Sequence, residues 1–196
     1  TGSSPSSVTS ILPNKAGKAW VYEGGIRVPL IIDTPFLKQR GSTLNEPVVS
    51  TDFYPTLLDL AGLPLEPAQH LDGVSLQPLL DGKKKRLGRE ALYFHYPHYH
   101  HINSMGPSGA IRMGDYKLVI RYEDSSTELY NLSEDRGEQT NLAAQRLGMV
   151  KQMKKMFDQW INQTLSLMPT ANLKYSGSKK QQNFYTPARD IKGKSA

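Results

Sequence analysis

The densest concentration of chemistry-bearing side chains in this sequence is Tyr93-Phe94-His95-Tyr96-Pro97-His98-Tyr99-His100-His101, which holds four of the five histidines. Three readings of it stand side by side. Clustered imidazoles can ligate zinc. They can pack with aromatic neighbours where a strand gives way to a loop. They can also recognise a ligand that combines hydroxyls, an anion and apolar ring faces, because imidazole hydrogen-bonds, gains positive charge beside an anion, and lies next to rings that stack. His95 and His98 lead as binding candidates, with Tyr99, His100 and His101 behind them. A second candidate is Lys18, in Gly17-Lys18-Ala19-Trp20-Val21-Tyr22-Glu23-Gly24-Gly25-Ile26-Arg27-Val28-Pro29. Taken alone, a lysine beside a glycine is a solvated loop residue.

These residues need elements to position them. The diglycine Gly24-Gly25 allows positive φ or close backbone approach, and Ile26, Val28, Leu30, Ile31 and Ile32 read as a buried strand after it. A helix follows: Ser50 or Thr51 can cap it, Asp52 suits the positive end of its dipole, Pro55 fits its first turn and Gly62 can end it. Leu57, Leu58, Leu60 and Ala61 are its expected buried side. Prolines punctuate residues 63–80, which read as an irregular surface wrap.

Beyond the basic run Lys83-Lys84-Lys85-Arg86 the pattern changes to short strands at 91–96, 109–112, 116–122 and 127–132, separated by turn signals such as Gly114-Asp115. An antiparallel meander is expected. Asn141 offers an N-cap, and Val150, Met153, Phe157, Trp160 and Ile161 recur at helical spacing, so one helix should cover one face of that sheet. The fold class is therefore α/β: closing strand and helix units over 1–82, then a small α+β subdomain over 83–175, then a basic tail over 176–196 that is expected to be disordered.

Charge and composition exclude several classes. The chain carries a net charge of +6, but six basic residues against Asp190 from Lys174 onward supply most of it, leaving about +1 elsewhere. A basic tail attracts polyanions loosely and gives no reason to expect specific nucleic-acid binding. The run 83–86 reads as a solvated connector or as a hold on a charged polymer. No apolar run approaches the roughly 20 residues of a membrane helix, so no membrane partner is expected. The absence of cysteine removes disulfides without fixing a compartment.

Four strings in order carry a family resemblance. They are the Lys18 segment; Val48-Val49-Ser50-Thr51-Asp52-Phe53-Tyr54-Pro55-Thr56-Leu57-Leu58-Asp59-Leu60-Ala61-Gly62 with Leu71-Asp72-Gly73-Val74-Ser75-Leu76-Gln77-Pro78-Leu79-Leu80; Gly109-Ala110-Ile111-Arg112-Met113-Gly114-Asp115-Tyr116-Lys117-Leu118; and Glu128-Leu129-Tyr130-Asn131-Leu132 with Gly137-Glu138-Gln139 and Asn141-Leu142. From about Leu12 to Tyr175 the chain resembles arylsulfatase-type sulfatases of the alkaline-phosphatase-like superfamily.

That resemblance implies hydrolysis of a sulfate ester of a carbohydrate, with Lys18 delivered to the sulfuryl or leaving oxygen. There a fixed ammonium stabilises developing negative charge or protonates the leaving group. It also implies a formylglycine nucleophile and a calcium ion, whose motifs lie upstream of the lysine segment in the family. Ser3-Ser4-Pro5-Ser6-Ser7 only mimics the nucleophile motif, with Ser7 where an arginine should stand, and reads as a flexible loop. The chain is thus expected to be the C-terminal portion of a longer enzyme, to need the N-terminal part of its own domain as partner, and to release no sulfate alone. The family's metal being calcium, which prefers oxygen ligands, turns the histidine run towards substrate recognition. An extracytoplasmic address is implied by the resemblance only. A phosphoesterase or phosphotransferase of the same superfamily, and a non-catalytic module binding sulfated glycans, are the alternatives.

Overall fold

The computed structural model describes residues 10–35, 37, 40–99 and 105–170. His100, His101, the Ser3–Ser7 run and the basic tail lie outside the described residues. The chain divides into two compact units, one made of Thr1–Val28 with Ala91–Ala196, the other of Pro29–Glu90.

The first unit is built on a four-stranded antiparallel meander: β1 (Leu92–Tyr96), β2 (Ser108–Met113), β3 (Tyr116–Arg121) and β4 (Thr127–Asn131), each paired with the next. Ala110 faces Val119 across one pair, and Ile111 faces Leu118 across the next. Because successive side chains point to opposite faces, this register loads both faces with apolar groups. One face is covered by the helix Leu147–Gln163, with Met153, Phe157 and Ile161 buried against Ile111, Leu118, Ile120 and Leu129. Gly109 is required there, since a Cβ would overlap the Phe157 ring and the Tyr122 hydroxyl. The opposite face is covered by the lysine segment. Ala16, Trp20, Val21 and Tyr22 pack on Ala110, Val119, Tyr130 and Leu132, with Phe94 and Tyr96 alongside. The meander and the covering helix expected from the sequence are both present.

The helix begins later than Asn141. The Asn141 Oδ1 instead accepts the N–H groups of Leu129 and Ala143, at 3.0 and 2.9 Å, so this side chain serves the β4 strand and a turn. The expected strand after the diglycine is replaced by a one-turn helix, Glu23–Ile26, followed by extended chain. Val28, Leu30 and Ile31 are 79, 42 and 92% exposed. Among the described residues no neighbouring strand pairs with them, and an unpaired strand cannot satisfy its backbone groups.

The second unit holds a 3-10 turn (Ser50–Asp52), the helix Phe53–Leu60 and the short helix Gln77–Leu80. Gly62, at φ +70°, ends the longer helix as expected. Its buried side differs from the expected one: Pro55 and Thr56 are buried, whereas Leu57 is exposed. Polar contacts decide this face. The Thr56 hydroxyl donates to Asp52 O and accepts from Leu76 N–H, while buried Asp52 accepts from Val49 and Val74 N–H and pairs with Arg89. No helix among the described residues is long and apolar enough to cross a membrane.

Candidate functional site

Lys18 lies on a loop that the chain closes upon itself. The Lys15 carbonyl accepts Gly24 N–H at 2.9 Å, and the Gly17 carbonyl accepts Trp20 N–H at 3.1 Å. Both glycines are steric necessities: a Cβ on Gly24 would meet the Lys15 and Ala16 carbonyls, and one on Gly25 those of Trp20 and Gly17. Ala16 and Gly17 are buried while Lys18 is exposed. The neighbouring Ala19 holds φ +73°, a left-handed conformation that a Cβ disfavours. The loop therefore presents its lysine outward from a well-packed base.

That base contains a charge network that pattern reading of the sequence did not assign. Lys117, fully buried on β3, places Nζ 3.0 Å from Glu23 Oε1 and 2.9 Å from Glu138 Oε1. Glu138 Oε2 accepts the Glu23 N–H at 2.7 Å, and Arg27 stands 3.4 Å from Glu23. Two carboxylates and an ammonium share one buried region, a costly arrangement unless each charge is matched. Burial pushes the Glu138 carboxyl up, and the Lys117 ammonium works against that shift.

A second polar group adjoins it. Lys15 Nζ donates to the Tyr130 hydroxyl at 3.0 Å and to the Glu138 carbonyl at 3.1 Å, and sits 4.1 Å above the centre of the Tyr22 ring. The Tyr22 and Tyr130 hydroxyls both donate to Glu128 Oε2, at 2.6 and 2.7 Å. Burial lowers the Lys15 ammonium, against the pull of Glu128. Burial first, and then Glu128, drives both phenols well above their usual range. A sequence signal for this network existed: Lys117 interrupts the apolar run of β3 at an inward position, and glutamates recur in the neighbouring strings. The partners are too far apart along the chain for pattern alone to join them.

The two described histidines of the run, His95 and His98, lie on different faces of the sheet. His95 turns towards the helix: Nδ1 is 2.7 Å from the Tyr122 hydroxyl, Nε2 is 3.0 Å from the Leu167 carbonyl, and the ring meets Trp160 edge-on. Both ring nitrogens are engaged. His98 is exposed and tilts over the Tyr96 ring at 4.1 Å between centroids, and Tyr96 packs on the cluster that contains Trp20. His98 therefore shares a sheet face with the lysine loop. Tyr99 donates to Glu123 beside Gly106, and is 53% exposed.

The described residues do not fit a calcium cage. Glu23, Asp52, Glu128 and Glu138 are committed to lysine, arginine, tyrosine or backbone partners. No three histidine, cysteine, aspartate or glutamate side chains among the described residues are grouped as a metal ion requires.

Comparison with known proteins gives this geometry a family. Residues 16–164 match the family model described as N-sulphoglucosamine sulphohydrolase, C-terminal. A sulfatase of Formosa agariphila is 38% identical over 167 residues, which is 78% of this chain and 30% of that protein. An N-acetylglucosamine-6-O-sulfatase of Bacteroides thetaiotaomicron is 37% identical over 64% of this chain and 23% of its own length. The crystal structure of Ps i-CgsB in complex with k-i-k-neocarrahexaose superposes with a TM-score of 0.66 at 28% identity, covering 82% of this chain and 35% of that one. The chain thus spans about a third or less of each protein it matches. The expected α/β class with a small antiparallel α+β subdomain holds, and the chain belongs to the sulfatase family, in its N-sulphoglucosamine sulphohydrolase C-terminal domain.

Proposed function

We propose that this chain supplies the C-terminal portion of a sulfatase of alkaline-phosphatase-like fold that hydrolyses sulfate esters of carbohydrates. Lys18 contacts the sulfuryl or leaving oxygen, and His98, Tyr99, His100 and His101 border the sugar. The observation that carries this reading is an exposed lysine on a loop closed by its own diglycine and anchored through buried charges, because a cation stabilises developing charge best when it need not reorganise. An N-acetylglucosamine-6-O-sulfatase among the relatives, and a neocarrahexaose complex among the structural matches, support a sulfated carbohydrate as substrate.

Formylglycine as nucleophile and calcium as the group that polarises the sulfate belong to this reading as contributions from the rest of the polypeptide. The exposed Val28, Leu30 and Ile31 support a covering surface from that same source. The sequence-based division at 82/83 between catalytic and small subdomain, and the basic tail after 175, stay part of the proposal, although the lysine segment packs on the sheet of the second part and the compact units divide after Val28 and Glu90. An extracytoplasmic address follows the resemblance, and fractionation of producing cells tests it.

The experiment on function uses the complete gene product with a chromogenic aryl sulfate and the matching aryl phosphate. Sulfate release should exceed phosphate release, and Lys18→Ala should lower kcat by about 10²–10³. The isolated chain should release none. Full activity in Lys18→Ala would remove the lysine from the chemistry, and preferred phosphate release would move the protein to the phosphoesterases.

A further inference from the structure

Gly137-Glu138-Gln139 has no role in the chemistry described so far, yet Glu138 lies where the two ends of the lysine loop meet. Its carbonyl accepts Lys15 Nζ at 3.1 Å, and its Oε2 accepts the Glu23 N–H at 2.7 Å. Its Oε1 faces Lys117, which in turn holds the Glu23 carboxylate. Lys15 and Glu23 bracket Lys18, three residues before it and five after. A single buried residue thus touches both sides of the loop that carries the lysine, its backbone carbonyl on the Lys15 side and its carboxylate on the Glu23 side.

The local backbone is built around this contact. Glu138 is fully buried and adopts φ +51°, a conformation that side chains avoid unless the surroundings over-determine it. Its turn is tied by Asp135, whose carboxylate accepts the N–H groups of Gln139 and Thr140 at 2.8 Å each. The same turn reaches the start of the loop a second time: Arg136 Nε donates to Asn14 Oδ1 at 3.0 Å, and a Cβ on Gly137 would stand 3.1 Å from the Pro13 carbonyl. These contacts dock residues 13–15 onto residues 136–138.

We propose that Glu138 is a positioning residue for Lys18, clamping both ends of the lysine loop against the sheet; this rests on the reading of Lys18 as the group that contacts the sulfate. A carboxylate suits the task because one oxygen accepts an N–H while the other faces a buried ammonium. Glutamine keeps the size and one acceptor but gives up the charge opposite Lys117. Glu138 itself touches no reacting atom.

A double-mutant cycle in the complete gene product tests this, with Lys18→Ala, Glu138→Gln and the pair assayed on an aryl sulfate. Glu138→Gln should lower kcat about tenfold with KM little changed, and the double variant should be no slower than Lys18→Ala alone, because residues that act through one another are non-additive. Multiplied losses would overturn the proposal, since a merely structural defect lowers activity equally in both backgrounds.

Amide hydrogen exchange on the same proteins gives a readout independent of turnover. Glu138→Gln should speed exchange at Glu23 and Gly24 while leaving 153–161 unchanged. Unchanged exchange in the loop, or acceleration everywhere, would overturn the clamp. A wild-type protein with no sulfate-ester turnover would sink the sulfatase reading, and the exchange pattern would still decide whether Glu138 holds the loop.

Discussion

His95 Nδ1 lies 2.7 Å from the Tyr122 hydroxyl, on the side of β1 that faces the long helix, while His98 three residues later tilts over Tyr96 on the side of the lysine segment. Two histidines of one short run therefore have different surroundings. His95→Ala should lower stability by about 1–2 kcal/mol through its lost hydrogen bonds and ring contacts, with KM for a sulfated saccharide unchanged. His98→Ala should raise that KM and leave Tm where it was. Thermal melts and saturation kinetics of both variants check this, and a shift of KM in His95→Ala with Tm intact would reverse the assignment.

Lys117 is the counter-charge for two buried carboxylates. Lys117→Met should destabilise the protein by about 3–5 kcal/mol, because it leaves the buried Glu138 carboxylate without its counter-charge and Glu23 with only Arg27 and Arg112 at its other oxygen. Neutralising Glu23 and Glu138 in the same variant should return part of the loss. Urea unfolding of the variants measures both effects.

Two glycines should respond to alanine with opposite sign. At Gly25 the new Cβ would run into the Trp20 and Gly17 carbonyls, and backbone cannot yield as a flexible side chain can. Gly25→Ala should cost about 1–3 kcal/mol or more and lower turnover with it. Gly148 faces open space in the first turn of the long helix, so Gly148→Ala should raise stability by about 0.5–1 kcal/mol. Melting both variants beside the wild type decides it.

The phenols of Tyr22 and Tyr130 are held above their ordinary value of 10.0, first by burial and then by Glu128. The unfolded chain loses these protons near that value while the folded chain keeps them. Their contribution is therefore fully present below pH 10 and is lost as pH rises beyond it. Lys15, whose ammonium burial lowers, works in the opposite sense on the alkaline side, so the comparison must isolate the phenols. The Tyr22→Phe, Tyr130→Phe protein should lose less stability than the wild type between pH 10 and 11. Denaturant titrations across that range give the difference, and equal slopes would contradict the burial of these hydroxyls.

Much of the small subdomain was legible because its signals are local. The aromatic and β-branched run Tyr116-Lys117-Leu118-Val119-Ile120 between turn signals and the helical spacing of Met153, Phe157 and Ile161 describe elements that any packed chain must bury. The same logic failed after the diglycine. Val28, Leu30 and Ile31 have strand composition, but a strand needs a neighbour, and among the described residues none pairs with them. It failed again at Phe53–Leu60, where hydrogen bonds from Thr56 outweighed the apolar pattern in choosing the buried side.

By itself the sequence determined the family, the meander with its covering helix, and the identity of Lys18 and the histidine run as the residues to consider, since composition, period and motif order are properties of neighbours along the chain. Only the tertiary structure decided that Glu23 meets Lys117 across 94 positions and Glu138 across 115, and that His95 and His98 fall on opposite faces. The reason is physical. Buried ion pairs are set by where distant segments converge, and a strand's pleat and the turn after it send neighbouring side chains to different sides, which one dimension does not record.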